Sequence, residues 1–142
     1  MSTCRTRHVG GVLVRNRRVV ADGFNGNLPK HRHCDEGGCE RCNDPNVQSG
    51  VGLERCVCLH CEQNIIGYCA QAGISSRNTT IYLPATPCLD CMKLLIVSGV
   101  REVVYNNPYN ANTETMIKKI ATDSGVIMRH YICECGEFND WQ

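Results

Sequence analysis

The sequence has no apolar run close to the roughly 18–20 residues needed to cross a bilayer, which argues against a membrane-spanning helix. Residues 1–5 do not form the apolar stretch of a secretory leader, so we expect a cytoplasmic protein without a membrane partner. Internal repeats, low-complexity runs and linkers are also absent. The 142 residues, 42% of them hydrophobic, are therefore expected to form one globular domain.

The sequence also lacks a strong excess of charge. Its formal net charge of +1 argues against a basic surface for long nucleic acid, and Trp141 is its only tryptophan for stacking on bases. Before residue 34, however, Asp22 is the only acidic residue. The basic residues of that segment are Arg5, Arg7, Arg15, Arg17, Arg18, Lys30 and Arg32. They form either a solvated basic face or, through Arg5 and Arg7, a site at which guanidinium groups bind a phosphate.

Cysteine, by contrast, is abundant, with 12 residues in the chain. Without a secretory leader, clustered cysteine and histidine residues favour metal sites over a disulfide framework. Cysteines outside the clusters, such as Cys69, Cys133 and Cys135, are interpreted as buried small groups or as thiols of the C-terminal tail.

Hydrophobic patterns predict a β-hairpin over 9–14 and 18–24, with a turn at Asn16 and Arg17, followed by a long loop over 23–52. Alternating helices and strands follow: helices over 59–72, 88–97 and about 112–122, and strands over 79–83, 102–105 and 126–131. Pro84 and Pro87 are expected to end the first of these strands. This alternation predicts an α/β domain over 1–132, with helices covering a mixed or parallel sheet, and a tail over 133–142.

Two short motifs lie at the expected starts of consecutive helices. The first is His60-Cys61-Glu62, and the second is Pro87-Cys88-Leu89-Asp90-Cys91. One histidine and two cysteines supply three zinc ligands and leave the fourth tetrahedral position open for water. The positive ends of the helix dipoles help to keep the thiols ionised. The sequence therefore predicts a catalytic zinc site.

Glu62 follows the histidine at a distance suited to proton transfer rather than to metal binding. Zinc lowers the pKa of bound water from 15.7 to about 7, so a hydroxide nucleophile is available at neutral pH. Glu62 is expected to take the proton of that water, to protonate a ring nitrogen, and to help ammonia leave. The combination of H-x-E with P-C-x-x-C matches the zinc deaminase pattern. A C-x-x-C motif alone is common in structural or redox sites, and an H-x-E motif alone carries almost no information.

A second group of cysteines lies in and beside the long loop. Cys39 and Cys42 have the C-x-x-C spacing of metal ligands. The hypothesis is a closed zinc site that holds the loop on the domain. The expected ligands are Cys34, Cys39, Cys42 and Cys56, with Cys4 and Cys58 as alternates. The alternative is a set of free thiols in a flexible loop.

Several stretches resemble the deoxycytidylate (dCMP) deaminases, which have the cytidine deaminase-like fold. The resemblance covers about residues 2–131. Its motifs are the stretch 4–10, then Gly23-Phe24-Asn25-Gly26-x-x-Pro29, His33-Cys34-x-x-x-Gly-Cys39, Cys56-x-x-x-His60-x-Glu62-x-Asn64 and Pro87-Cys88-x-x-Cys91. The zinc motifs are shared by all cytidine deaminase-like enzymes, whereas the other motifs point to the dCMP branch.

This resemblance implies a three-layer α/β/α sandwich with about five strands and hydrolysis of dCMP to dUMP and ammonia. It also implies a homo-oligomer, hexamer or dimer, with dCTP as activator and dTTP as inhibitor, and Mg²⁺ accompanying the regulatory nucleotide. Asn25 would bind the sugar, Gly26 would lie in the same loop, and Tyr109 would lie near the substrate.

Three departures from the family pattern bear on this expectation. Family members usually carry a helix before the first motif, whereas this chain begins at that motif. Loss of that helix would expose apolar sheet surface unless a neighbouring subunit covers it. Cys61 replaces the usual alanine beside the pyrimidine, and Gly11 replaces another alanine near the pocket wall. The alternatives are therefore a deaminase of another free base, nucleoside or modified nucleotide, and a non-catalytic module held together by zinc.

Overall fold

The computed structural model describes residues 2–48, 50–108 and 111–132 of the chain. Tyr109 and the tail over 133–142 therefore lie outside the described residues. None of the helices in the described ranges is both long and apolar enough to cross a membrane.

Five strands and three long helices form the body of the protein. The strands are β1 (Gly10–Arg15), β2 (Arg18–Phe24), β3 (Thr80–Ala85), β4 (Glu102–Asn107) and β5 (Ile127–His130). The helices are α1 (Glu40–Asn43), which is a single turn, α2 (Cys61–Ala72), α3 (Leu89–Val97) and α4 (Ala111–Asp123). The strands lie in the order β2-β1-β3-β4-β5, with β1 antiparallel to both neighbours and β3, β4 and β5 parallel. The predicted mixed five-stranded sheet is confirmed.

The N-terminal hairpin closes through Asn16 and Arg17, whose φ angles are 53° and 63°. Two consecutive positive φ values are typical of the type I′ turn, whose twist matches that of the flanking strands. The predicted hairpin is therefore confirmed, with β1 beginning one residue later than expected.

Strand β3 continues past the residue at which the sequence predicted its end. It includes Pro84 and ends at Ala85. Pairing with β1 reaches only as far as Tyr82, so the missing N–H of Pro84 interrupts no ladder on that side. The expectation that Pro84 ends the strand was wrong for this reason.

The hydrophobic core lies between the sheet and helices α2, α3 and α4. Leu13, Ile81 and Val103 stand side by side on neighbouring strands, and all three are fully buried. Helices contribute the opposing side chains, which include Ile65, Met92, Leu95 and Ile117. Helices α3 and α4 each connect two neighbouring parallel strands. Because such connections are almost always right-handed, both helices are expected on the same face of the sheet, and they contact each other.

The opposite sheet face carries an open depression of about 520 Å³. Val12, Tyr82 and Val104 form one cross-strand row of its floor, and none of its lining residues belongs to a helix. Tyr82 is 40% exposed there. The candidate metal ligands do not line this depression. The depression is therefore separate from the group formed by His60, Cys88 and Cys91.

Residues 27–58 form a Cys/His-rich insert between β2 and α2, and the sequence predicted a long loop over 23–52 there. It contains a π-helical turn (Cys34–Gly38), α1 and a 3-10 turn (Leu53–Arg55). Gly38 lets two stretches of backbone approach closely, since a Cβ there would lie 1.8 Å from the Arg32 carbonyl oxygen. The buried apolar groups of the insert are cysteines, packed together with Cys4 of the N-terminal segment.

Candidate active site and cysteine cluster

The starts of two helices bring three side chains together. His60 is the N-cap residue of α2, Cys88 is the N-cap residue of α3, and Cys91 lies three residues after Cys88. The His60 Nδ1 atom lies 3.5 Å from the Cys88 sulfur and 3.4 Å from the Cys91 sulfur. All three ligand atoms lie within 4.8 Å of one another. The three residues that the sequence predicted as ligands of one metal ion are thus adjacent in space.

The separations within this group suit a tetrahedral zinc ion. With Zn–N near 2.0–2.1 Å and Zn–S near 2.3 Å, tetrahedral geometry requires an N···S distance of about 3.6 Å. The observed distances of 3.5 and 3.4 Å are close to this value. Three protein ligands with one open position are typical of catalytic rather than structural zinc. The donor set and its geometry fit the metal.

Electrostatics within the group favour a thiolate at Cys88. The pKa of Cys88 is lowered to about 4, first because Cys91 donates a hydrogen bond to its sulfur, and also because His60 lies beside it. The pKa of His60 is raised, mainly by its hydrogen bond to Cys88, while burial and the charge of Arg7 oppose that rise. A thiolate beside an imidazole is a preformed site for a divalent cation.

Glu62 lies in the first turn of α2 and is 6% exposed. Its Oε2 atom accepts a hydrogen bond of 3.2 Å from the Cys61 thiol. Its negative charge contributes to raised pKa values at His60 and Cys91, although a hydrogen bond with Cys88 is the main cause at both residues. Because it acts on both ligands, the carboxylate must lie close to the metal position. A buried carboxylate beside an open metal position is suited to proton transfer.

The loop after β2 runs alongside the start of α2. The Asn25 side-chain oxygen accepts a hydrogen bond of 2.8 Å from the backbone N–H of Cys61. Gly26 exchanges two backbone hydrogen bonds with Leu59, immediately before His60. Asn25 and Gly26 are therefore adjacent to the metal position, and the oxygen of Asn25 already holds the first turn of α2. Cys61 itself is fully buried.

The two arginines predicted to bind phosphate lie in different surroundings. Arg7 is half-buried, and its charge lies close enough to His60 to oppose the rise in the pKa of that residue. Arg5 is exposed, and its Nη1 atom donates a hydrogen bond to Asn43 of the insert, 3.2 Å away. The structure therefore places Arg7 beside the candidate active site and Arg5 beside the cysteine-rich insert.

The cysteines of the insert form two overlapping groups of four. Cys4, Cys34, Cys42 and Cys58 form one group, and Cys39, Cys42, Cys56 and Cys58 form the other. Within each group, all four sulfur atoms lie within 4.8 Å of one another. The set expected from the sequence (Cys34, Cys39, Cys42 and Cys56) is divided between them. We call these six residues the cysteine cluster.

Two residues that were not predicted from the sequence support this cluster. Arg41 is 6% exposed, and its guanidinium donates to the carbonyl oxygens of Val51 and Gln48. The Asn43 side-chain amide donates to the carbonyl oxygens of Cys34 and Cys39, each at 2.8 Å. Their positions in and next to the C-x-x-C motif are the only available signal, and such residues are usually solvent-exposed.

Comparison with known proteins agrees with the site geometry. The family model for the cytidine and deoxycytidylate deaminase zinc-binding region matches residues 1–107. A protein of Schizosaccharomyces pombe named deoxycytidylate deaminase is 38% identical over 131 residues, which cover 92% of this chain and 39% of that protein. Its namesake in Saccharomyces cerevisiae is 37% identical, with 92% and 40% coverage. The chain thus spans about two fifths of the length of these relatives.

Solved structures give the same result. The dCMP deaminase of the cyanophage S-TIM5, in complex with dCMP and dUMP, superposes with a TM-score of 0.71 and 26% identity. The match covers 92% of this chain and 85% of the phage chain. The expected cytidine deaminase-like fold is confirmed. With a matching family model over three quarters of its length, two relatives above 30% identity and the three metal ligands in place, the chain belongs to the cytidine and deoxycytidylate deaminase family.

Proposed function

We propose that this protein hydrolyses the amino group of dCMP, which gives dUMP and ammonia. The observation that carries the proposal is the buried Glu62 carboxylate beside the open three-ligand group of His60, Cys88 and Cys91. The choice of dCMP is supported by the names of the two yeast relatives and by the nucleotides bound to the phage enzyme.

Glu62 is the residue that moves protons in the proposed reaction. A zinc ion held by the three ligands would lower the pKa of a bound water molecule to about 7. The Glu62 carboxylate accepts the proton of the attacking water and delivers it to the ring nitrogen, and then assists the departure of ammonia. Burial excludes solvent from this carboxylate, and the Cys61 thiol holds one of its oxygens in place.

Substrate positioning falls to the loop after β2 and to the N-terminal segment. Asn25 and Gly26 lie beside the start of α2, where the sugar of a bound nucleotide would be held. Arg7 is the better placed of the two arginines for the phosphate, because its charge acts on His60, whereas Arg5 lies beside the insert. Tyr109 stays a prediction as a substrate contact, because it lies outside the described residues.

Deamination of another base, nucleoside or modified nucleotide is the alternative that Cys61 suggested. The Cys61 side chain is fully buried and donates a hydrogen bond to the Glu62 carboxylate. It therefore offers no surface to a base. The burial of Cys61 therefore supports dCMP over this alternative. The dCTP and dTTP effectors with Mg²⁺, the hexameric or dimeric assembly and the cytoplasmic location stay predictions.

The test is an assay of dCMP deamination, followed by the change in ultraviolet absorption from cytosine to uracil. Glu62→Gln should lower kcat by about 10²–10⁴-fold, the usual contribution of a general acid–base group, and should retain zinc. Asp90→Asn is the matched control, because Asp90 lies between the two cysteine ligands but its side chain is 81% exposed. It should retain the parent's activity.

Unchanged turnover in Glu62→Gln would show that the proton-transfer role is assigned to the wrong residue. If the parent binds zinc and turns over cytidine or another cytosine compound but not dCMP, the proposed substrate is wrong while the chemistry is kept. The same assay with cytidine therefore separates these two failures.

A further inference from the structure

We propose that the cysteine cluster holds two zinc ions in one binuclear thiolate centre, with Cys42 and Cys58 bridging the metals. The six sulfur atoms form two groups of four, and these two cysteines belong to both groups. Two tetrahedral zinc ions that share an edge need six sulfur ligands, of which two bridge and four are terminal. The composition of the two groups matches this requirement.

The division of the terminal ligands follows from the same grouping. Cys4 and Cys34 occur only in the first group, and Cys39 and Cys56 only in the second. Each zinc ion therefore has its own pair of terminal cysteines. A single zinc ion would use four of the six sulfurs and leave two thiols of this compact group without a metal.

Two sulfur–sulfur distances within the second group agree with tetrahedral coordination. For a Zn–S length near 2.3 Å, neighbouring sulfurs on one zinc ion lie about 3.8 Å apart. The Cys39 and Cys56 sulfurs are separated by 3.8 Å, and the Cys42 and Cys56 sulfurs by 3.6 Å. These values are far longer than the 2.03–2.05 Å of a disulfide bond, and the described cysteines are free.

Groups around the cluster hold its ligands in position. The backbone N–H of Arg5 donates to the Cys34 sulfur at 3.3 Å. Asn43 donates to the carbonyl oxygens of Cys34 and Cys39, and so connects a terminal ligand of one group with a terminal ligand of the other. Support of this kind from outside the ligand shell is typical of metal sites.

The insert also needs the metals for its folding. Its buried apolar cluster consists only of cysteines: Cys4, Cys34 and Cys39 are buried, and Cys42, Cys56 and Cys58 pack against them. Thiols of this size bury little apolar area, whereas structural zinc contributes folding free energy directly. The large aliphatic side chains Leu28, Val51, Leu53 and Val57 of the insert are exposed, so they contribute little to holding 27–58 on the domain.

The first experiment is native mass spectrometry of the zinc-loaded protein, with the zinc content measured independently by elemental analysis. We expect three zinc ions per chain, two in the cluster and one at His60, Cys88 and Cys91. Cys88→Ser should lower the count from three to two. That variant lacks a ligand of the proposed catalytic zinc, so its count reports on the cluster whether or not the protein deaminates dCMP.

The bridging thiolates are tested by loading the protein with ¹¹³Cd and recording its NMR spectrum. Two cadmium resonances from all-sulfur sites that are coupled to each other would support shared sulfur ligands. Uncoupled resonances would overturn the bridged centre, and so would a total of two zinc ions or fewer in the parent. Cys69→Ser is the control, because Cys69 is buried in α2 away from the cluster and should leave the count at three.

Discussion

Cys61 stands between the Asn25 side chain and the Glu62 carboxylate. Its backbone N–H donates to Asn25 and its thiol donates to Glu62. Burial, and then the nearby charge of Glu62, raises the pKa of this thiol well above its usual value. Cys61 therefore remains a neutral hydrogen-bond donor at neutral pH, and it fixes the orientation of the carboxylate.

Cys61→Ala tests this orienting role. Loss of the hydrogen bond leaves the Glu62 carboxylate less well positioned, so kcat for dCMP should fall by up to roughly tenfold, which corresponds to about 1.4 kcal/mol. KM should change little, because the buried thiol offers no surface to the substrate. Steady-state kinetics on purified, zinc-loaded protein provide the measurement.

Cys69→Ala is the matched control for that prediction, since it removes another buried thiol of α2 that lies outside the active site. It should lower the free energy of unfolding and leave kcat unchanged. A Cys61→Ala protein that keeps its kcat but prefers a different base would contradict the orienting role and restore a role in substrate selection.

Among individual residues, the sequence predicted those that belong to short motifs. His60, Cys88, Cys91 and Glu62 were identified because H-x-E and P-C-x-x-C each lie within one helical turn. The hydrogen bond of Asn25 to Cys61 spans 36 residues, and nothing in a local pattern reports it. The sorting of cysteines into two groups likewise depends on how Cys4 and Cys58 approach the insert.

Helix α2 lies unusually close to strand β2. A Cβ at Gly23 would lie 2.8 Å from the Ile65 Cγ1 atom and 3.1 Å from the Cys61 carbonyl oxygen. The glycine thus allows the helix that carries His60 and Glu62 to contact the sheet directly. Close packing at this point sets the height of the active-site residues above the strands.

Gly23→Ala should therefore strain this helix–strand contact. Overpacking of this kind costs about 1–3 kcal/mol, which urea unfolding would measure as a lower transition midpoint. Gly10→Ala is the control on the neighbouring strand, because a Cβ there meets its nearest atom at 3.5 Å, an ordinary contact distance. Equal losses in both variants would show that backbone effects of glycine, and not the approach of α2, determine the result.

The regular elements were predictable because each has a clear hydrophobic period and a stop signal. Helix α2 ends before Gly73, whose φ of 69° few other residues adopt readily, as its pattern predicted. The short turns of the insert were not predictable, since they contain few apolar residues and close around cysteine sulfurs. Hydrophobic periodicity in a sequence indicates packing against a sheet, whereas this segment packs around its own cysteines and Cys4.

For the whole molecule, the cysteine cluster connects the N-terminal segment, the insert and the approach to the active site. The cluster joins the two ends of the segment 4–58. Cys4 lies at one end of that segment, and Cys58 lies at the other end, two residues before His60. Removal of the metals would therefore release both ends at once. The sheet and its three long helices have a separate core and would remain folded.

Limited trypsin digestion after chelation tests this division of the molecule. Arg41 is buried in the cluster region, so chelated protein should be cleaved after it and zinc-loaded protein should resist. Arg101 is the internal control, since its backbone N–H and carbonyl bond to Thr79 and Ile127 in the sheet, and it should resist in both states. Simultaneous cleavage at both sites would show that the cluster supports the entire domain.

The order of the ligands along the chain has a consequence for how the protein matures. A chain leaves the ribosome from its N-terminus, and here all six cluster cysteines precede β3, Cys88 and Cys91. The cluster would thus acquire the proposed zinc ions before Cys88 and Cys91, the last two ligands of the proposed catalytic zinc, have been made. When zinc is scarce, newly made chains would fill the cluster first, and the cell would accumulate folded protein that waits for its catalytic ion.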